Sequence, residues 1–226
     1  MKYLFANWKK NLSLEQSVEL TKELSAFMLP ADLTLALFPD GTAFHAVHDA
    51  IRPPLVLGTQ DLDELHGIEG AYVIVGHSSR RSMGDTDEAV AGKMQRIVAA
   101  GHIPVLCVGE TKEERVEGKQ EEHIRKQLCS ALCDAAPHEF FIAYEPIYAI
   151  GTGENAPAFN VAETAGFIDG VLNGLMPGSK RHILYGGSVN AENVADYTHL
   201  PLIEGVLVGS ASTTSDSLQK VLAAIS

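Results

Sequence analysis

Basic residues are scarce in this chain. Seventeen Lys and Arg stand against 29 Asp and Glu, a formal net charge of −12. A nucleic-acid partner would need a basic stripe, so that class is not expected. An anionic small molecule stays possible, because backbone N–H groups at loops and helix starts bind phosphate without side-chain charge. Cysteine is scarce too: only Cys107, Cys129 and Cys133. An odd count without a C-x-x-C pair offers neither a disulfide framework nor a zinc knuckle. Free thiols fit a reducing compartment, and a cytoplasmic location is expected. Long apolar runs are missing, none approaching the ~20 residues of a membrane span, so no membrane partner is expected. The opening segment reaches Lys9 and Lys10 too soon to read as a signal peptide. Linkers and low-complexity tracts are also absent.

What remains is ample core-forming material. The 226 residues are 46% hydrophobic and 20% charged, which suits a single domain spanning 1–226 and argues against disorder. Eight short apolar runs recur, at 3–8, 33–38, 55–60, 72–76, 103–109, 140–145, 182–186 and 205–209. They are nearly continuous in hydrophobicity, as strands buried on both faces should be. Between most of them lie helical patterns, at 14–28, 85–100, 121–135, 161–175, 191–197 and 213–225. The first places Leu14, Val18, Leu24 and Met28 on roughly one face behind a Ser13…Gln16 capping box. The second opens with acidic residues and stops at Gly101. Strands alternating with helices imply a parallel sheet, and eight of them close an α/β barrel, the (β/α)8 or TIM barrel. A doubly wound open sheet would show a similar pattern.

The polar residues sit where barrel enzymes assemble their sites, at the C-terminal ends of strands. Asn7 and Lys9 end the first run, His77 follows the fourth, Glu145 ends the sixth, Gly186-Gly187-Ser188 ends the seventh, and Gly209-Ser210 ends the eighth. A carboxylate at an apolar strand end is partly desolvated, which raises its pKa and makes it a better base near neutral pH. Each group also has a plain structural reading: a solvated strand end, a satisfied histidine, a basic pair, a glycine loop. Their common position at one end of the sheet favours a site. His45 and His48, at i,i+3 with His66 nearby in sequence, suggest a metal position, though a solvated helix face explains them better.

Several segments together carry a resemblance to a known family. Asn7-Trp8-Lys9, Gly76-His77-Ser78, the stretch from Tyr144 to Gly153 (YEPIYAIGTG), Tyr185-Gly186-Gly187-Ser188-Val189 and Leu207-Val208-Gly209 occur in the order seen in triosephosphate isomerases. Val105 to Thr111 (VLCVGET) is similar to the family's fifth strand and loop. The resemblance covers nearly the whole chain, and the segment opening at Glu145 is its most specific part.

This resemblance implies a glycolytic and gluconeogenic isomerase that interconverts dihydroxyacetone phosphate and D-glyceraldehyde 3-phosphate and needs no metal and no cofactor. It implies Glu145 as the base that moves the proton, neutral His77 as the donor to the substrate oxygen, Lys9 as the positive charge, and Asn7 as its positioner. That division of roles is a worked case of pKa tuning. Gly151, Ser188, Gly209 and Ser210 match the phosphate-binding positions, and 146–153 matches a mobile lid. Two departures stand out. Ser79 replaces the usual glutamate after His-Ser, which puts the full rate in doubt and makes Asp61 a candidate substitute. Only residues 61–76 separate Gln60 from His77, where the family carries a long third loop that makes its dimer contact. A monomer or a different oligomer is therefore expected. A non-catalytic relative that binds phosphorylated sugars or a protein partner is the alternative. Lesser departures are Tyr148 for tryptophan, Ser210 for glycine and Glu154 for lysine.

Overall fold

The computed structural model describes residues 2–62, 65, 68, 70–150 and 155–225. Its eight strands are β1 (Tyr3–Asn7), β2 (Thr34–Phe38), β3 (Val56–Thr59), β4 (Tyr72–Val75), β5 (Ile103–Val108), β6 (Glu139–Tyr144), β7 (Lys180–Tyr185) and β8 (Ile203–Val208). All neighbours pair in parallel, and β1 pairs with both β2 and β8, so the sheet is a closed barrel and not an open doubly wound one. The expected runs differ from these strands by at most one residue at either end, apart from the N-terminal ends of the last two, where the strands begin two residues earlier.

Each strand buries both faces, which is why its sequence shows no clean polar alternation. In β1, Phe5 packs inside the barrel with Phe38, Ile74, Val105, Phe141 and Leu207. Its neighbours Leu4 and Ala6 belong to the outer core between strands and helices. The interior is aromatic: the Phe5 ring lies 5.3 Å from Phe38, 5.0 Å from Tyr72 and 5.0 Å from Phe141. Gly58 in β3 makes this possible, since a Cβ there would sit 2.3 Å from the Phe38 ring. At the floor, buried His182 stacks on Phe141 at 4.7 Å and reaches Glu204 Oε1 from Nδ1 at 2.9 Å.

Nine helices surround the strands among the described residues: α1 (Leu14–Leu24), α2 (Phe44–Ala50), α3 (Ser78–Ser82), α4 (Asp87–Ala99), α5 (Lys112–Val116), α6 (Gln120–Leu132), α7 (Ala158–Leu175), α8 (Val194–Thr198) and α9 (Ser215–Ile225). None is long and apolar enough to cross a membrane. The Ser13–Gln16 capping box is present. The α4 stop is a glycine in the left-handed region, Gly101 at φ 76°, with His102 N–H bonded to the Ile97 carbonyl and Gly101 N–H to that of Val98. This closes the orphan carbonyls of the last turn.

Helix α1 corrects one expectation. Its buried face is Ser17, Leu20, Thr21 and Leu24, while Leu14 is 44% exposed and Met28, beyond the helix end, is 99% exposed. The small hydroxyl residues face the barrel because they satisfy themselves: Ser17 Oγ donates to the Ser13 carbonyl at 2.8 Å and Thr21 Oγ1 to the Ser17 carbonyl at 2.7 Å.

Candidate active site

The C-terminal ends of the strands deliver the site. Asn7 is the last residue of β1, and its Oδ1 accepts the Lys9 N–H at 3.2 Å. Lys9 adopts the left-handed region, φ 51°, which a non-glycine residue enters only at a cost of ~1 kcal/mol or more. Gln60 holds it there: its Nε2 donates to the Lys9 carbonyl at 3.1 Å and to the Phe38 carbonyl at 3.0 Å. Trp8, buried between, donates Nε1 to the Ser212 carbonyl at 3.0 Å and so ties the β1 loop to the β8 loop.

His77 is the N-cap of α3 and is 5% exposed. The Ser79 N–H donates to its Nδ1 at 3.1 Å, and the Ser79 hydroxyl lies 2.7 Å from the same atom. A backbone N–H only donates, so Nδ1 carries the lone pair and Nε2 the proton. The Ser79 hydroxyl therefore donates as well. The protonated Nε2 faces Glu145 Oε1 at 3.3 Å. Glu145, 3% exposed, also accepts the Ser78 N–H on Oε2 at 3.2 Å. A neutral imidazole donor and a carboxylate thus face one another at the bottom of the cleft.

Two glycines make room for that carboxylate. A Cβ on Gly109 would stand 1.8 Å from the Glu145 carbonyl, and one on Gly186 would stand 2.9 Å from Glu145 Cγ. Beside it lies Cys107, whose thiol pKa is pushed well up by burial and further by the neighbouring Glu145. The β6 end is braced by a buried network. Arg115 Nε donates to Glu110 Oε1 at 2.7 Å, the Tyr144 hydroxyl donates to the same oxygen at 3.0 Å, and Arg115 Nη2 reaches Thr164 Oγ1 at 3.1 Å. Burial opposes the charge on Arg115, but the Glu110 carboxylate more than offsets it, so its pKa is raised.

Asn7, Lys9, His77, Glu145, Ser188, Gly209 and Ser210 all line one cavity of about 620 Å³. Seven of the eight residues expected from sequence are therefore brought together. The eighth, Gly151, lies outside the described residues, as do Glu154 and most of the glycine-rich end of the 146–153 segment. The Ser188 N–H and hydroxyl both donate to the Ala149 carbonyl, at 2.9 and 2.6 Å, so the root of that segment is tied to the β7 loop. An anion taking the Ser188 N–H would have to exchange with this carbonyl.

Asp61 does not reach Lys9. Its carboxylate pairs with Arg80 and lies 3.7 Å from Lys93 Nζ, so it is not the substitute for the missing glutamate. His48 sits beside Asp49 with Nδ1 at 3.3 Å, and His45 packs edge-on to Phe44. His66 lies outside the described residues, and among those described no cluster of three or more His, Cys, Asp or Glu is placed to hold a metal. Sequence reasoning missed Gln60, the second donor from Ser79, and the spacing role of Gly109. Only Gly109, inside a quoted motif, carried a sequence signal.

The match to known proteins now decides the family. A sequence model described as triosephosphate isomerase matches residues 2–225. The chain belongs to the triosephosphate isomerase family. A triosephosphate isomerase of Nitratidesulfovibrio vulgaris strain DP4 is 34% identical over 251 aligned positions, covering 99% of each chain. One from Roseiflexus castenholzii is 36% identical over 242 positions, covering 97% of this chain and 95% of the relative. One from Aquifex aeolicus is 34% identical over 238 positions, covering 96% of each.

Proposed function

We propose that the chain is a cofactor-free isomerase of the cytoplasm that interconverts dihydroxyacetone phosphate and D-glyceraldehyde 3-phosphate. The observation that carries this is the pairing of buried Glu145 with the Nε2–H side of a histidine whose Nδ1 is occupied by two donors. Glu145 removes a proton from one of two adjacent substrate carbons and returns it to the other. The His77 Nε2–H bonds the substrate oxygen on which negative charge grows, and moves the hydroxyl proton between the two oxygens. Lys9, held in its loop by Asn7 and Gln60, stabilises the enediolate charge. The substrate phosphate sits on backbone N–H groups at Ser188, Gly209 and Ser210, with Gly151 from the lid. Gly209 adjoins Lys9, a Cβ there lying 3.6 Å from Nζ, so the cation stands beside the phosphate end of the cavity. Net charge −12 does not prevent anion binding, because these donors are local.

The protein acts as a monomer, or through an interface that differs from the loop-mediated dimer of the family. The described residues of the shortened third loop turn inward: Leu65 is buried, Ile68 packs against the outer core, and Asp61 pairs with Arg80 of the same chain. Coupled assay of triose phosphate turnover tests the activity, and light scattering over a hundredfold range of concentration tests the assembly. Binding of inorganic phosphate without turnover would favour a non-catalytic relative.

A further inference from the structure

Helix α6 turns Ile124, Leu128, Ala131 and Leu132 inward, and with them one long polar side chain, buried Gln127. Its amide serves Gly109. Oε1 accepts the buried Gly109 N–H at 2.9 Å, and Nε2 lies 3.4 Å from the Gly109 carbonyl. Gly109 is the centre of a three-residue grip on the base. The Glu145 N–H donates to the Val108 carbonyl at 2.7 Å, and the Ile147 N–H donates to the Glu110 carbonyl at 2.9 Å. Between them Gly109 lies so close to the Glu145 carbonyl that no Cβ would fit. Where Gly109 stands therefore sets where the end of β6 carries Glu145.

The same amide also fixes a proton. A backbone N–H only donates, so the Gln127 oxygen faces Gly109 and its NH2 group faces His123, whose Nε2 lies 3.0 Å away. Nε2 then carries the lone pair, and the proton sits on Nδ1, which donates to Glu114 Oε1 at 2.7 Å. The other Glu114 oxygen accepts the Thr111 N–H at 2.8 Å in the capping box of α5. Glu114, His123, Gln127 and Gly109 thus form one chain with every donor matched. His123 is 31% exposed, so water reaches its outer end.

A second proton on His123 breaks the match. Nε2–H would point at the Gln127 NH2 group, donor against donor. Glu114 favours the added charge, so the cost falls on Gln127. It must turn its oxygen to His123 and leave the buried Gly109 N–H facing an NH2 group, and a buried donor without an acceptor is costly. Among the described residues, Glu114 is the charged group paired with His123. On the His123 side of α6, Lys119 pairs with Glu117, and Lys126 lies 3.6 Å from Asp87 of α4. Arg81 and Glu145 line, with Gln127, a void of about 10 Å³.

We propose that Gln127 is a positioning residue for Glu145, and that His123 makes its hold on Gly109 proton-dependent: complete with His123 neutral, loosened with His123 charged. The role rests on the reading of Glu145 as the base. Turnover then falls on acidification by more than protonation of the base and substrate alone would cause.

The test uses the full chain. In nitrogen-15-labelled protein near pH 8, NMR should show His123 protonated on Nδ1 and bare on Nε2. On acidification to about pH 5.5 the Gly109 amide signal should move with the protonation of His123. In His123→Gln, whose side-chain oxygen accepts from Gln127 without titrating, that movement should be absent. Turnover of triose phosphate is the second readout. The ratio of parent kcat to His123→Gln kcat should fall about threefold or more between about pH 8 and pH 5.5, because protonation of base and substrate affects both proteins alike. Gln127→Leu should lower kcat about tenfold near pH 8 with KM within roughly twofold. A proton on Nε2 near pH 8, or a Gly109 signal that ignores His123, would overturn the proton-dependent hold. A kcat ratio constant across pH, or parental kcat in a Gln127→Leu variant folded by circular dichroism, would overturn the positioning role. A parent protein that turns over no triose phosphate at any pH would overturn the isomerase reading and the positioning role together, and the NMR result would still decide the hydrogen-bond chain.

Discussion

Gly186→Ala is the sharpest probe of how tightly the base is placed. Gly186 N–H donates to the Tyr144 carbonyl at 2.8 Å, and this glycine is not in the left-handed region, so alanine is acceptable to the backbone. The added methyl would lie 2.9 Å from Glu145 Cγ, 3.4 Å from the Tyr144 carbonyl oxygen and 3.5 Å from Glu145 Oε1. Only the first contact is prohibitive. Ordinary carbon–carbon contact needs ~3.5–4.0 Å, so the Glu145 side chain must retreat by roughly 0.6 Å or more. Because misplacement by ~1 Å can cost about a hundredfold, kcat should fall between about tenfold and a hundredfold, or ~1.4–2.7 kcal/mol of barrier. The yielding atom belongs to a side chain, so stability should change by less than ~1.5 kcal/mol. Steady-state kinetics in both directions, with urea denaturation alongside, measure both quantities. Turnover within twofold of the parent would refute the assignment of Glu145 to proton transfer from this position.

Three further outcomes follow from the same geometry. Ser79→Ala removes one of two donors on His77 Nδ1, worth about 0.5–1.5 kcal/mol, so kcat should drop about two- to tenfold with KM little changed. Ser79→Thr should restore it, and an unchanged kcat in the alanine variant would make the hydroxyl incidental. Glu145→Gln should lower turnover by about 10²–10⁴ while inorganic phosphate still inhibits the residual activity with its original affinity; loss of phosphate binding as well would mean the residue is structural. Burial, aided by Tyr3 and Glu139, pushes the Tyr72 phenol up to about 12 from 10.0. A raised folded pKa contributes stability that is complete below the unfolded value and lost as pH rises towards the folded one. Tyr72→Phe should therefore flatten the fall of Tm between about pH 10 and pH 12, and an equally steep fall would show that this phenol does not drive alkaline unfolding.

The barrel was legible because strands buried on both faces leave uninterrupted apolar runs, and because polar residues cluster at one end of those runs. The five-residue helices α3 and α5 were invisible, since one turn and a half is too short to show a period, whereas α8 fell within the helical pattern at 191–197. The α1 face was misread because Ser17 and Thr21 count as polar by type, yet both return their hydroxyls to the helix's own carbonyls and pack as small core residues. In the site, residue types at strand ends announced Asn7, Lys9, His77 and Glu145. What they did not announce were contacts between distant loops. Gln60 reaches two carbonyls from other strands' ends, and Asp61 is drawn away from Lys9 by Arg80 and Lys93. Ser79 looked like a lost charge, but α3 turns its hydroxyl back onto His77. Such effects depend on side-chain direction and distance, which spacing along the chain does not encode.

The most direct measurement of the central claim is isotope exchange. Dihydroxyacetone phosphate is incubated with the protein in D2O, the aldehyde product is drawn off by a coupled dehydrogenase, and deuterium at its C2 is read by proton NMR. Proton transfer through a solvent-exchanging carboxylate predicts product carrying at most one deuterium at C2, formed rapidly by the parent and slower by at least about a hundredfold in Glu145→Gln. Product formation at an undiminished rate in that variant, or no product from the parent protein, would contradict the account.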